Sequence, residues 1–164
     1  MQKRSLEQSI REWLRISGST VKVVVKDRFP GGRLVGGKYH PATHTVTLYQ
    51  ECIREQCLQL FGTEAYFEEY AAIVFAHELG HAEDRQLDQL TELLESRLLT
   101  GSEKQTIALK IEKNAWAYAA KLFSDWKQAA FLQQIVYQSL EPYYTAISKQ
   151  SAAARRKNKQ PATA

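Results

Sequence analysis

A single change of rhythm divides this 164-residue chain and limits what it can fold into. Between Val21 and Tyr49 the apolar residues come in short β-branched or alternating runs, whereas from Glu51 to about Lys149 they recur at helical spacing with few breakers. Val21-Lys22-Val23-Val24-Val25-Lys26 reads as a strand, a second begins at Lys38-Tyr39-His40, and His44 to Tyr49 alternates with period two like a half-buried third. Gly31-Gly32 and Gly36-Gly37 supply turns between them. The spacing therefore predicts an α+β fold, with a small antiparallel sheet of about three strands packed on a mostly helical body.

Helices are expected at Ser5 to about Ser17, ended by Gly18, and then near Glu51 to Phe61, Glu64 to Asp84, Gln86 to Leu99, Glu103 to Phe123 and Trp126 to Lys149. Thr63 and Ser102 are the expected N-caps of two of them. Pro142 is expected to kink or end the last. The length suits one domain, read as residues 1–150, with 151–164 as a disordered basic tail that lacks bulky apolar residues.

Charge narrows the function. The net charge is +4, and Arg155, Arg156, Lys157 and Lys159 account for all of it, which leaves the body neutral. Phosphate binding wants a basic surface on the domain itself, so no direct nucleic-acid partner is expected. No apolar run approaches the ~20 residues of a membrane span, and the first residues do not read as a signal peptide, so no membrane role and a cytoplasmic location are expected. Cys52 and Cys57, the only cysteines, lie five apart in one expected helix, where they point apart and read as reduced thiols.

The residues that carry chemistry begin with His77-Glu78-Leu79-Gly80-His81, an H-E-x-x-H pattern. On a helix, residues four apart share a face, so both imidazoles can reach one metal while Glu78 is set beside it as a general base. Tyr70, Ile73, Val74, His77 and His81 form one stripe, which turns the histidines toward the interior. A catalytic zinc takes three protein ligands. The best third candidate is Glu112, because positions 108, 112, 115, 119 and 122 read Ala, Glu, Ala, Ala, Leu and leave that carboxylate alone on a small-residue face. A buried, unpartnered carboxylate is costly, and coordination removes the cost. Gly80 and these alanines would let the two helices approach closely.

Alternatives for the third ligand are Asp84, read rather as a partner of a ligand imidazole or a solvent-facing group, Glu83, read as a surface carboxylate, and His40 or His44 beside the strands. Tyr39, Tyr70 and Tyr143 are candidates for stabilising an oxyanion. The edge of the strand His44 to Tyr49 is where an extended peptide could pair.

These residues, His77-Glu78-Leu79-Gly80-His81 and the run Glu112-x-x-Ala115-x-x-Tyr118-Ala119-Ala120-x-Leu122, resemble the gluzincin metallopeptidases of the ImmA/IrrE type. The resemblance covers about 80 residues, from the Gly37-Lys38-Tyr39 region to Phe123. It implies a zincin-like (minigluzincin) fold, Zn2+ on His77, His81 and Glu112, Glu78 as the catalytic base, and a bacterial or mobile-element origin. It also implies a protein or peptide substrate, of the helix-turn-helix repressor type in characterised members. The chain departs from that family at Trp116, where Asn is usual, at Tyr118, where Phe is commoner, and at Ser124-Asp125, where Met-Pro often follows. His77 to Asp84 is also similar to toxin-type gluzincins. The expected function is a zinc-dependent endopeptidase; a latent or non-catalytic zinc-binding module and a helical interaction domain with an accidental motif are the competing readings.

Overall fold

A computed structural model describes residues 5–124 and 129–159. The chain opens with α1 (Leu6–Ser17), whose start is closed by a capping box between Ser5 and Gln8 and whose end turns at Gly18 in the left-handed region, φ 67°. Next come β1 (Lys22–Lys26), β2 (Gly37–His40) and β3 (Thr45–Tyr49). Helices α2 (Gln50–Phe61), α3 (Phe67–Glu83), α4 (Leu87–Glu95), α5 (Gly101–Leu122) and α6 (Ala129–Lys159) follow. The α+β class and the strand positions agree with the sequence.

The sheet is mixed, which corrects the antiparallel expectation. Its order is β1-β3-β2, with β1 parallel to β3 and β2 antiparallel to it. The short link through the 3₁₀ turn Pro41–Thr43 forces β2 and β3 into a hairpin, but the segment 27–44 is long enough to carry the chain over and insert β3 between the other two. All five residues of β3 are buried, as a central strand requires. The peptide-pairing edge expected on β3 is therefore occupied on both sides, and β2 is the edge strand that packs on α3.

Helix α3 is the hub. It is apolar on nearly every side, with Tyr70, Ala71, Ala72, Ile73, Phe75 and Ala76 buried, and it packs against α1, α2, α5 and the sheet. Ile73, Phe75 and Leu79 are almost fully removed from water, each contributing roughly 1.5–3 kcal/mol of burial. Helix α5 lies along α3, and a Cβ added at Gly80 would come within 2.6 Å of the Cα of Ala115. The close approach expected from Gly80 and the alanine stripe is present.

Several boundaries differ from expectation for local reasons. Thr100, not Ser102, caps α5, because its hydroxyl accepts from the Glu103 amide while Glu103 reaches back to the Thr100 amide. Thr63 caps only the turn before α3, accepting from the Ala65 amide, and Tyr66 holds the N-cap position. Helix α4 ends at Glu95, where Ser96 turns extended. Helix α6 continues through Pro142 and does not end there. The segment read as a tail joins the same helix as far as Lys159, every residue of 151–159 exposed; Ala, Arg and Lys are strong helix formers and need little packing to extend it. The start expected at Trp126 lies outside the described residues. Cys52 and Cys57 are buried free thiols, and among the described residues no helix is long and apolar enough to cross a membrane.

Candidate metal centre

The C-terminal half of α3 carries His77, Glu78 and His81, whose ligand-capable atoms all lie within 4.8 Å of one another, so that the group could hold a metal ion. The helical period alone sets the two imidazoles on one face, and their rings meet edge to face with centroids 4.6 Å apart. Glu112 comes to them from α5. His77 Nε2 donates to Glu112 Oε2 at 2.9 Å, and His81 Nε2 lies 3.6 Å from Glu112 Oε1. His77 Nδ1 stands 3.4 Å from Glu78 Oε1. The Glu112 carboxylate, distant in sequence, thus converges with both imidazoles.

The electrostatics follow from this crowding. Burial pulls the His77 pKa down, but hydrogen bonds to Glu112 and Glu78 and their charges outweigh it and raise the value to about 9. Burial, then the neighbouring His77 charge, depresses His81. For Glu112 burial works upward, yet the hydrogen bond from His77 and the charges of both histidines hold its carboxyl below the ordinary range. One imidazolium and one carboxylate therefore sit paired in a site where an isolated charge would be expensive. Two imidazoles with a facing carboxylate, only partly exposed and without thiolate, make a donor set that suits a divalent cation.

The cleft at these residues is open on both sides of His77 and Glu78. One lobe, about 340 Å3, is bounded by Tyr39, Leu87, Thr91 and Glu112, and the other, about 410 Å3, by Val74, Trp116 and Tyr143. Gly37 of β2 lines both. A Cβ there would stand 2.8 Å from Glu78 Cγ, so the missing side chain is what lets the edge strand lie against the carboxylate.

The other sequence candidates are placed as follows. Asp84 does not bond an imidazole: its Oδ2 accepts from Asn114 Nδ2 at 3.0 Å and its Oδ1 from the Gln86 amide at 2.9 Å, clamping the end of α3 to α5. Glu83 is exposed and accepts from Ser19 Oγ. His44, in the left-handed region at φ 46°, meets the Tyr39 hydroxyl through Nδ1 at 3.0 Å and so reaches the cleft only through that tyrosine. Tyr70 donates to Gln56 Oε1, and burial pushes its phenol up to about 12. Tyr143 lines the cleft, its phenol raised first by burial and then by the Glu112 charge.

Sequence reasoning missed Trp116. Its ring stacks on His77 at 4.2 Å and 27°, while His81 meets the same imidazole edge to face. The signal was available, since Trp116 follows Glu112 by one helical turn and shares its face. Comparison with protein-family models, with curated proteins and with solved structures gives no match.

Proposed function

We propose that the chain is a zinc-dependent endopeptidase, with His77, His81 and Glu112 as metal ligands and Glu78 as the general base. One observation carries the reading: a half-buried glutamate from α5 meets both imidazoles of an H-E-x-x-H helix across a cleft. Zinc accepts two imidazoles and a carboxylate and leaves a position for water, and when bound it supplies a lowered water pKa and a polarised scissile carbonyl. Glu78, buried and next to a ligand without sharing its helical position, takes the water proton and returns it to the leaving amine. The edge strand β2 offers backbone groups along which an extended peptide can pair, with Lys38 and Tyr39 lining the cleft beside it. Tyr143 supplies a phenol to the oxygen that gains charge. The resemblance of 77–81 and 112–122 to ImmA/IrrE-type gluzincins extends the proposal to a regulatory protein of the repressor type as substrate.

A latent zinc-binding module with the same three ligands is the second reading. The two separate by experiment. Purified chain is assayed for zinc content by mass spectrometry and for cleavage of unfolded casein. The peptidase reading expects stoichiometric zinc, cleavage lost with chelator, and a Glu78→Gln variant that keeps zinc but is inactive. Zinc retained with no cleavage by wild type supports the latent module; equal cleavage by wild type and Glu78→Gln sinks the peptidase.

A further inference from the structure

A concavity of about 880 Å3 lies away from the metal cleft, in a groove between α5 and α6. Its α6 wall runs from Leu132 to Lys149. At ~1.5 Å per residue that is on the order of 25 Å, the length of a helix and not of a compact ligand. Tyr137, Leu140 and Tyr144 come to the groove at helical spacing, yet Tyr137 is 71% and Tyr144 48% exposed. Ala117 and Ala120 on α5 are small enough to admit a neighbouring helix closely. Beyond the groove, α6 projects through 151–159 with every residue exposed.

We propose that this groove is the interface of a homodimer, filled by α6 of a second copy packed antiparallel about a twofold axis near Thr145. Charge selects this occupant. Glu141 and Lys149 both line the groove and stand equally far on either side of Thr145, so a twofold axis there sets each Glu141 against Lys149 of the second copy, twice over. Size agrees with charge: the same axis lays the Ala152-Ala153-Ala154 run of one copy against Val136, Tyr137 and Gln138 of the other, small side chains opposite the exposed ring. The antiparallel sense also keeps the basic ends apart. The two Arg155 positions come to lie roughly 30 Å from each other, well beyond the ~8 Å Debye length, whereas a parallel pair would bring both cationic ends together. The product is a four-helix layer of α5 and α6 from each copy. It buries the outer border of Trp116, which also lines the metal cleft, but it does not depend on any metal or activity.

The test is the mass of the full chain in solution by sedimentation equilibrium over a concentration series. The expected mass is twice the 18.7 kDa of one chain. Glu141→Lys and Lys149→Glu should each raise the dissociation constant about tenfold, since each turns two attractions into repulsions, and the double variant should restore it. Tyr137→Glu should give monomer with unchanged far-ultraviolet circular dichroism. A wild-type chain that stays monomeric, including one whose groove takes up an unrelated amphipathic peptide instead, overturns the proposal. So does a dimer indifferent to Tyr137→Glu, or single reversals that weaken it without rescue by the pair.

Discussion

Gly80 and Ala115 are in backbone contact: a Cβ on the glycine would lie 2.6 Å from the alanine Cα and nearer still to its carbonyl oxygen. His81 follows the glycine directly and Glu112 precedes the alanine by one turn, so this contact sets how far the carboxylate stands from the imidazoles. Gly80→Ala adds a methyl group where neither backbone can yield. Alanine is better than glycine in a helix interior by up to ~1 kcal/mol, but overpacking of this kind costs about 1–3 kcal/mol, so the variant is expected to be less stable. Thermal unfolding checks the sign, and competition with a chelator should show weaker divalent-metal binding. A variant more stable than wild type would mean that the helices are not held at contact.

The paired His77 and Glu112 make the metal-free chain sensitive to alkali. His77 holds its proton to about 9 in the fold but only to the ordinary 6.5 when unfolded, so between these values the unfolded chain binds fewer protons and stability falls as pH rises. That contribution is complete below 6.5 and lost through about 9, on the order of 3 kcal/mol. The depressed Glu112 acts at the other end, its contribution being lost as pH falls through its folded value. Denaturant titrations of chelated protein across this window provide the check. A flat profile would remove the ion pair. Metal uptake in the same window should release protons, read from the dependence of binding enthalpy on buffer.

Trp116 holds His77 by stacking, with its indole buried. Trp116→Ala is expected to cost about 3–5 kcal/mol through the cavity left and to weaken metal binding about tenfold by freeing the imidazole. Trp116→Phe keeps an aromatic face on the ring and should lose much less of both. Equal metal affinity in all three proteins would show that the stack serves packing alone.

Tyr143 supplies the sharpest test of the chemistry. If its phenol meets the developing oxyanion, Tyr143→Phe lowers kcat by about 10²–10³ and leaves KM and zinc content unchanged. A matching loss in Tyr144→Phe, which alters an exposed neighbour, would instead point to disturbance of α6.

Much of the candidate site was legible because it depends on local periodicity. The spacing of His77 and His81 decides that they share a face, and the alanines around Glu112 decide that its carboxylate faces a close neighbour. The same logic reached Gly80. It failed on caps, where Thr100 and Ser102 both offer a hydroxyl and only the turn geometry chooses between them. It failed again at Trp116, whose place on the Glu112 face was readable but whose target was not.

By itself, then, the order of residues determined which side chains each element presents together: the strand and helix regions, the imidazole pair, and the lone carboxylate on its small-residue stripe. The tertiary structure alone decided what those faces meet. Whether β3 lies at the edge or the centre of the sheet, which strand borders Glu78, and that Glu112 comes within 2.9 Å of His77 depend on contacts between segments far apart in the chain. Backbone periodicity fixes directions within one element, whereas pairing between elements is selected by burial and by the reach of the connections, which no local pattern encodes.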